Sequence, residues 1–316
     1  MTQVSVVVLT YNPDPVKLRQ TLTAAARQTG VQTEIVISDD GSTQKDFSFL
    51  PGFMGSLSFE NYRLLEHREN RGTVRSCLDA VSAATGEYVF LTSPGDLLYD
   101  DHTLEAMVRF SQDHSADLCF GNAVFYGPGE NGPHLTREKG CPSAPQLYDP
   151  GASSATGRIA FFGGNWVIGA SYFRKRALLL ETLRQICDTS KYMEDTPTTA
   201  FALAAGHRLF HCNRNIVWYE DGTGVSTGNN DKWAKLLHQD ALLSFQKLKG
   251  QYPKDPYVDI TCRNLSQPDR KKRILGNLLR HPVLMSRLLL CKRAKAAPIT
   301  CSQEALAHLK QLLEIQ

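Results

Sequence analysis

Three acidic clusters stand where an apolar run hands over to a turn or helix, and each has a chemical use. Asp39-Asp40 end the run Glu34-Ile35-Val36-Ile37-Ser38 and precede Gly41-Ser42. A carboxylate there suits a ribose hydroxyl or a base N–H. It equally suits a turn, since Asp, Gly and Ser favour turns. The ligand reading gains from Thr10-Tyr11-Asn12, which end the run Val4–Leu9, because Tyr11 is an aromatic able to stack on a base. Ser93-Pro94-Gly95-Asp96 follow Tyr88–Thr92. The plain reading is another turn. The chemical one is a single carboxylate, Asp96, holding a divalent cation against a diphosphate, since hard cations take oxygen ligands and share them with phosphates. Glu194-Asp195 come just before a helix with Pro197 in its first turn, where acids suit the dipole. Their chemical reading is a general base that removes a proton from an attacking hydroxyl.

The elements that must position these groups are legible in the periodicity. Val4–Leu9 and Glu34–Ser38 read as strands buried on both faces of a parallel sheet. Leu18, Leu22, Ala25 and Ala26 mark one side of the crossover helix between them. Ligands in such sheets sit beyond the carboxyl ends of the strands, which puts Tyr11-Asn12 and Asp39-Asp40 at one edge. Residues 43–61 read as a loop and Tyr62–Glu66 as a third strand. A helix follows from Asn70-Arg71-Gly72-Thr73 through Thr85, with Gly86 as terminator. Tyr88–Thr92, a helix over 102–114 and a strand over 116–121 continue the alternation, hence an α/β, doubly wound, mostly parallel sheet. Residues 127–157 turn rich in Gly, Pro, Ser and Asn, a long loop of the functional or mobile kind. Order resumes from Phe161, with helices over 175–187 and 198–205 and a last strand at Ile216–Tyr219. From Lys232 the pattern is helical with Pro breaks.

Bulk composition narrows the classes. The 316 residues carry a net charge of +3 and eight scattered cysteines without a C-x-x-C pair, which favours reduced thiols over a disulfide frame or zinc site. There is no secretory signal and no apolar run long enough to span a bilayer, so a cytoplasmic protein is expected. Gly222-x-Gly224-x-x-x-Gly228 is a weak dinucleotide pattern, with no βαβ continuation after it. Gly224–Gly228 fits a nucleophile elbow but lies too late in the chain. The tail gathers Arg270-Lys271-Lys272-Arg273, Arg280, Arg287, Lys292-Arg293 and Lys295 among leucines, with no acid between 270 and 295. It reads as a solvated helical face, or as a basic amphipathic stretch for an anionic membrane surface. No aromatic interleaving supports nucleic acid.

Taken in order, these stretches resemble glycosyltransferase family 2, the inverting nucleotide-sugar transferases of GT-A (Rossmann-like) fold. The match covers Val4–Asn12, Glu34–Ser42, Gly86–Leu91, Glu194-Asp195 and Trp218–Ser226. The resemblance implies a domain over 1–227, with a nucleotide-sugar half to about 121 and an acceptor half after it. Residues 228–316 then form a helical, basic extension. It implies that Thr10, Tyr11, Asn12, Asp39 and Asp40 hold the nucleotide, Tyr11 and Asp40 at the base and Asp39 nearer the ribose. Arg71 or Arg75 would assist the phosphates. Asp96 would hold Mg2+ or Mn2+ on the diphosphate, Asp195 would act as general base, and Glu194 would assist it. The donor would be UDP-linked. The family's usual Asp-x-Asp is Ser93-Pro94-Gly95 here, with Asp96 alone after it, and its usual Arg-Asn pair is Cys77-Leu78. Similarity to relatives with a Ser-Pro-Gly-Asp version implies O-antigen or capsule synthesis. The acceptor would be carried on polyprenyl diphosphate at the inner face of the cytoplasmic membrane. A non-catalytic nucleotide-sugar or glycan binder of the same fold is the alternative. A nucleotidylyltransferase would need a Gly-rich loop with Arg, unlike Thr10-Tyr11-Asn12-Pro13.

Overall fold

The computed structural model describes residues 3–129, 132–137, 140–222 and 231–316. The strands β1 (Gln3–Thr10) and β2 (Gln32–Asp39) flank the helix α1 (Pro15–Ala26). Val4, Val6–Val8 and Ile35–Ile37 are fully enclosed, so both faces of the two strands are covered and branched side chains fit the pleat. Asp14 sets the start of α1 by accepting from the N–H groups of Val16 and Lys17, with Pro15 in the first turn. The stretch expected as a loop before the third strand holds a helix, α2 (Leu50–Ser56). Leu50 and Met54, one turn apart, are its buried stripe, and Pro51 suits its first turn.

The alternation continues with β3 (Tyr62–Glu66), α3 (Thr73–Ala83), β4 (Tyr88–Thr92), β5 (Leu97–Leu98), α4 (Thr103–Asp113), β6 (Leu118–Gly127) and β7 (His134–Leu135). Gly86 does not terminate α3. Its N–H instead donates to Ser5 Oγ at 2.9 Å and to the buried carboxylate of Glu34 at 3.1 Å. The described residues of the 127–157 segment hold more regular structure than its composition suggests. A 3-10 turn over Pro145–Tyr148 leads to α5 (Ser154–Phe162), which starts at a Ser153 cap. β8 (Tyr172–Lys175), α6 (Arg176–Ile186), α7 (Asp195–Ala204) and β9 (Phe210–Glu220) complete the sheet region. The glycine motifs after Gly222 fall outside the described residues.

The sheet order is β3-β2-β1-β4-β8-β6-β9-β5, with β7 paired to β6. The first four strands are parallel. Beyond β4 the sheet is mixed, because β8 enters antiparallel between β4 and β6. Phe173 of β8 stacks on Tyr88 of β4, ring centroids 5.0 Å apart, and fills the place that simple alternation would give to β6. The fold class is therefore α/β with a mixed rather than uniformly parallel sheet.

Five helices follow: α8 (Asp231–Gln251), α9 (Pro256–Ser266), α10 (Arg270–Arg280), α11 (Pro282–Cys291) and α12 (Gln303–Leu313). Phe245, Leu248, Val258 and Cys262 join α8 and α9 to the core on the α3, α6 and α7 side of the sheet. α12 returns to the opposite side. Its Leu309 and Leu312 are fully buried, and Gln20 of α1 donates to the carbonyls of Leu313 and Ile315. All eight cysteines are free thiols, four buried and four half-buried. No helix among the described residues is long and apolar enough to cross a membrane.

Candidate active site

The carboxyl ends of β1 and β2 are tied into one platform. The Asp40 N–H donates to Thr10 O at 2.9 Å, and the Asn12 N–H donates to Ser42 Oγ at 2.7 Å. Asn12 sits at φ 46°, and its side-chain oxygen accepts from the N–H groups of Thr43 and Gln44. Asp39 is fully buried and accepts from the hydroxyl and N–H of Ser42, with Lys45 Nζ at 3.4 Å. Asp40 accepts from the N–H groups of Arg71 at 2.9 Å and Gly72 at 2.8 Å. Tyr11, 48% exposed, presents its ring on this platform. Thr10 Oγ1 is buried without a hydrogen-bond partner among the described residues. Arg71 thus meets the edge through its backbone, while its guanidinium pairs with Asp79, nearly two turns into α3. Arg75 is exposed on α3 and lies within electrostatic reach of Asp188.

The turn that carries Asp96 explains the Ser-Pro-Gly-Asp spelling. Asp96 N–H closes on Ser93 O at 3.0 Å, with Pro94 and then Gly95, at φ 103°, in the two central positions. That is the residue order of a type II turn, in which the second central position needs positive φ. A side chain at Gly95 would also collide with Glu220, whose Oε2 lies 2.6 Å from where a Cβ would stand. Glu220 ends β9 and is held by Lys17 of α1, with Nζ 2.7 and 2.6 Å from its two oxygens. Burial pushes the Asp96 carboxyl up to about 8. A backbone N–H of Glu220 opposes this, the Glu220 charge adds to it, and Lys17 pulls the other way.

Asp195 opens α7, half-buried, and its Oδ1 accepts from the Thr196 N–H at 2.6 Å. Burial raises its pKa to about 6, helped by the charge of Glu194 beside it, while Thr196 and Arg174 lower it. Such a group is ionised at neutral pH yet is a stronger base than an ordinary carboxylate. Glu194 is buried and held by Arg174, with Nη1 3.1 Å from Oε2, and Arg174 in turn lies over the Tyr172 ring at 4.4 Å. The loop before them is fixed from α8. Asp240 Oδ2 accepts from the N–H groups of Lys191, Tyr192 and Met193 at 3.0, 2.6 and 3.1 Å. The same loop is stitched to the nucleotide edge. Lys191 O accepts from the Val74 N–H at 3.0 Å, two residues past the Gly72 that holds Asp40. Gly72, at φ 91°, has no room for a side chain there, because Lys191 O lies 2.6 Å from a built Cβ.

Thr10, Tyr11, Asn12, Asp39 and Asp40 therefore share one edge, Asp96 follows β4 beside β1, and Val74 and Lys191 tie the loop before Glu194-Asp195 to that edge, while the Arg71 guanidinium turns to Asp79 and Arg75 lies out on α3 toward Asp188. Four residues that the sequence reading passed over support them: Lys17, Arg174, Glu220 and Asp240. Glu220 had a signal, being an acid at the end of the last strand, where strand-end carboxylates gather. The other three had none, since each partner lies 20 or more residues away in sequence. No group of three or more His, Cys, Asp or Glu able to hold a metal ion occurs among the described residues. Asp96 and Glu220 nonetheless fit a hard cation as oxygen donors that leave most coordination positions to a diphosphate.

The model of the family described as "Glycosyl transferase family 2" matches residues 5–193 of this chain. Glycosyltransferase GlyG of Streptococcus pneumoniae serotype 4 is 30% identical over 124 residues, which is 39% of this chain and 40% of GlyG. The chain thus matches less than half of that relative's length. The crystal structure of S. aureus TarS 1-349 in complex with UDP-GlcNAc superposes over 93% of this chain and 82% of its own. Its TM-score is 0.61 at 17% identity. The longer S. aureus TarS structure is covered over 53% of its length, with a TM-score of 0.60 at 16% identity. The mannosyltransferase PcManGT from Pyrobaculum calidifontis, in complex with GDP-Man and Mn2+, covers 98% of this chain and 78% of its own. Its TM-score is 0.58 at 19% identity. At these identities the structures speak for the fold alone. With the match spanning well over half of the sequence, the chain belongs to glycosyl transferase family 2.

Proposed function

We propose that this chain moves a hexose or N-acetylhexosamine from a nucleotide sugar, UDP-linked, onto a hydroxyl of a glycan acceptor, with inversion. The observation that carries the reading is the stitched path from Asp40 through Gly72 and Val74 to Lys191 and on to Asp195. It couples a nucleotide platform to a carboxylate of raised basicity within one rigid edge. Tyr11 stacks on the base, the Asp40 carboxylate meets the base N–H, Asp39 stands buried beneath it nearer the ribose, and Thr10 and Asn12 shape the floor. Asp195 takes the proton from the acceptor hydroxyl as that oxygen attacks the anomeric carbon from the side opposite the leaving diphosphate. The charge of Glu194, which Arg174 holds in place, favours that proton on Asp195. A Mg2+ or Mn2+ ion held by Asp96 would neutralise the leaving diphosphate. Arg71 would add to this only after leaving Asp79, and Arg75 only after turning in from the exposed side of α3.

The solved neighbours hold UDP-GlcNAc in one case and GDP-Man with Mn2+ in another, which makes a nucleotide-sugar donor the working class. The acceptor fits a glycan on polyprenyl diphosphate in bacterial surface polysaccharide synthesis. Residues 1–227 would act as the catalytic unit and 228–316 as its extension, at the inner face of the cytoplasmic membrane. The test is nucleotide release from a panel of UDP and GDP sugars with Mn2+ or Mg2+, in wild type and Asp195→Asn. Release with a UDP sugar that the variant loses while still binding UDP supports the reading. Binding without release by the wild type, for any donor, would leave a binder instead.

A further inference from the structure

Large apolar side chains stand exposed mainly in one place. Ile274, Leu275, Leu278 and Leu279 on α10, and Val283, Leu289 and Leu290 on α11, are 45–75% exposed. Elsewhere among the described residues the exposed ones are Tyr11, Val16 and Leu243. The four on α10 recur at i, i+1, i+4 and i+5, which is one helical stripe. They are interleaved with charge of one sign. Nine Lys and Arg side chains lie between 270 and 295, with no Asp or Glu. None of the nine has an ion-pair partner among the described residues. The nearest buried carboxylate, Asp259, is taken up by Lys249, Arg263 and His281.

These helices are nevertheless firmly seated. Met285 and Leu288 pack with Ile159 and Ile260, Asn277 donates to Asn264 at 3.0 Å, and His281 meets Asp259 at 2.9 Å. A seated helix pair that leaves leucines and unpaired cations outward is built to meet something. A second copy would set nine cations against nine, so self-association through this face is electrostatically opposed. We infer that the α10–α11 face docks on an anionic lipid surface, its leucines entering the interface and its cations pairing with headgroups. This gives a structural basis to the membrane location in the proposed function, but it stands or falls by a separate measurement.

The full chain is floated with vesicles of phosphatidylcholine alone and of phosphatidylcholine mixed with phosphatidylglycerol. Binding to the mixed vesicles and not to the neutral ones is expected, weakening as salt rises. The triple variant Lys271→Gln/Lys272→Gln/Arg280→Gln is expected to lower partition roughly a hundredfold, at about fivefold for each lost charge. Leu275→Ser/Leu279→Ser should release the binding that survives high salt. Circular dichroism melting checks that both variants fold, and UDP release without vesicles should match wild type. Loss of that release in all proteins would count against the catalytic reading and leave the docking intact. Absent binding to anionic vesicles, or binding that folded variants of both kinds retain, overturns the inference. So does a dimer in sedimentation that Leu275→Ser/Leu279→Ser abolishes.

Discussion

The carboxyl edge of the sheet and the α10–α11 face are both crowded with ionised groups, and they treat them oppositely. At the edge Asp39, Asp40, Glu194 and Asp240 are all at most 8% exposed, and each accepts from named donors. On α10 and α11 the cations face water, except half-buried Arg273, which donates to Asn264 O, and no carboxylate lies between residues 270 and 295. Removing a charge from water is costly unless donors replace the lost hydration, so a buried, fully bonded carboxylate is one whose position is being fixed. An open cation is fixed by nothing and acts at a distance that salt can screen. The edge is therefore suited to chemistry, which needs geometry, and the tail face to association, which needs field and apolar area.

The comparison is broken most directly at Asp195. Asp195→Asn should lower kcat by about a thousandfold, within the range for removing a general base, and leave UDP affinity as it was. Steady-state transfer and UDP calorimetry read the two separately, and parallel losses would make Asp195 a binding residue. The pH dependence follows from the same carboxyl. Its pKa is raised to about 6 and only its ionised form accepts a proton, so the rate should climb from pH 5 to 7 with a midpoint near 6. The raised pKa means that the protonated folded form is relatively favoured. This carboxyl's contribution to stability therefore declines as pH rises through about 6, opposite in sign to its effect on rate.

The Asp40→Ala variant comes next. It strands the N–H groups of Arg71 and Gly72, at a cost of about 1–3 kcal/mol each where they are buried. It also removes the link between the two strand ends and α3. UDP affinity should fall by about ten- to a hundredfold, and a Tm that falls while Kd holds would confine Asp40 to folding. Asp240→Ala is expected to be milder. Three N–H groups before Asp195 lose their common acceptor, so kcat should fall by about tenfold with little change in KM for the donor. Asp240→Glu should recover part of it if positioning is the role.

How far the sequence led differs between these residues for physical reasons. β1, β2 and β4 were legible because strands covered on both faces must be continuous apolar runs, while β3, half-exposed at the edge of the sheet, showed through Tyr62, Leu64 and Leu65 alone. Asp40, Asp96 and Asp195 were legible because the ends of such strands, and the starts of helices, are where carboxylates have few other uses. α2 was hidden because its stability rests on two buried side chains, Leu50 and Met54, within a Gly- and Ser-rich string. β8 was hidden because its place between β4 and β6 depends on long-range pairing that leaves no local period. Asp240 and Lys17 work through partners 47 to 203 residues away, and nothing in single-sequence spacing marks such pairs.

Lys17 offers the smallest effect and the sharpest test of the contrast, because it is a cation of the edge set against a carboxylate near Asp96. The pair is about a third exposed on the lysine side, so its net worth is no more than about 1 kcal/mol. Its electrostatic role is larger than its stability, since it neutralises Glu220 next to the carboxylate proposed to hold the metal. Lys17→Met removes the Lys17 charge from beside Asp96 and Glu220, which raises the negative field at that point. Mn2+ affinity, read by titration calorimetry on the nucleotide-free protein, should then rise by about fivefold, the equivalent of that ~1 kcal/mol. Lys17→Arg should leave it near wild type, because the guanidinium keeps the charge. An Mn2+ affinity that is unchanged or falls in Lys17→Met would mean that Glu220 lies outside the cation's field. Asp96 would then have to hold the ion with the diphosphate alone.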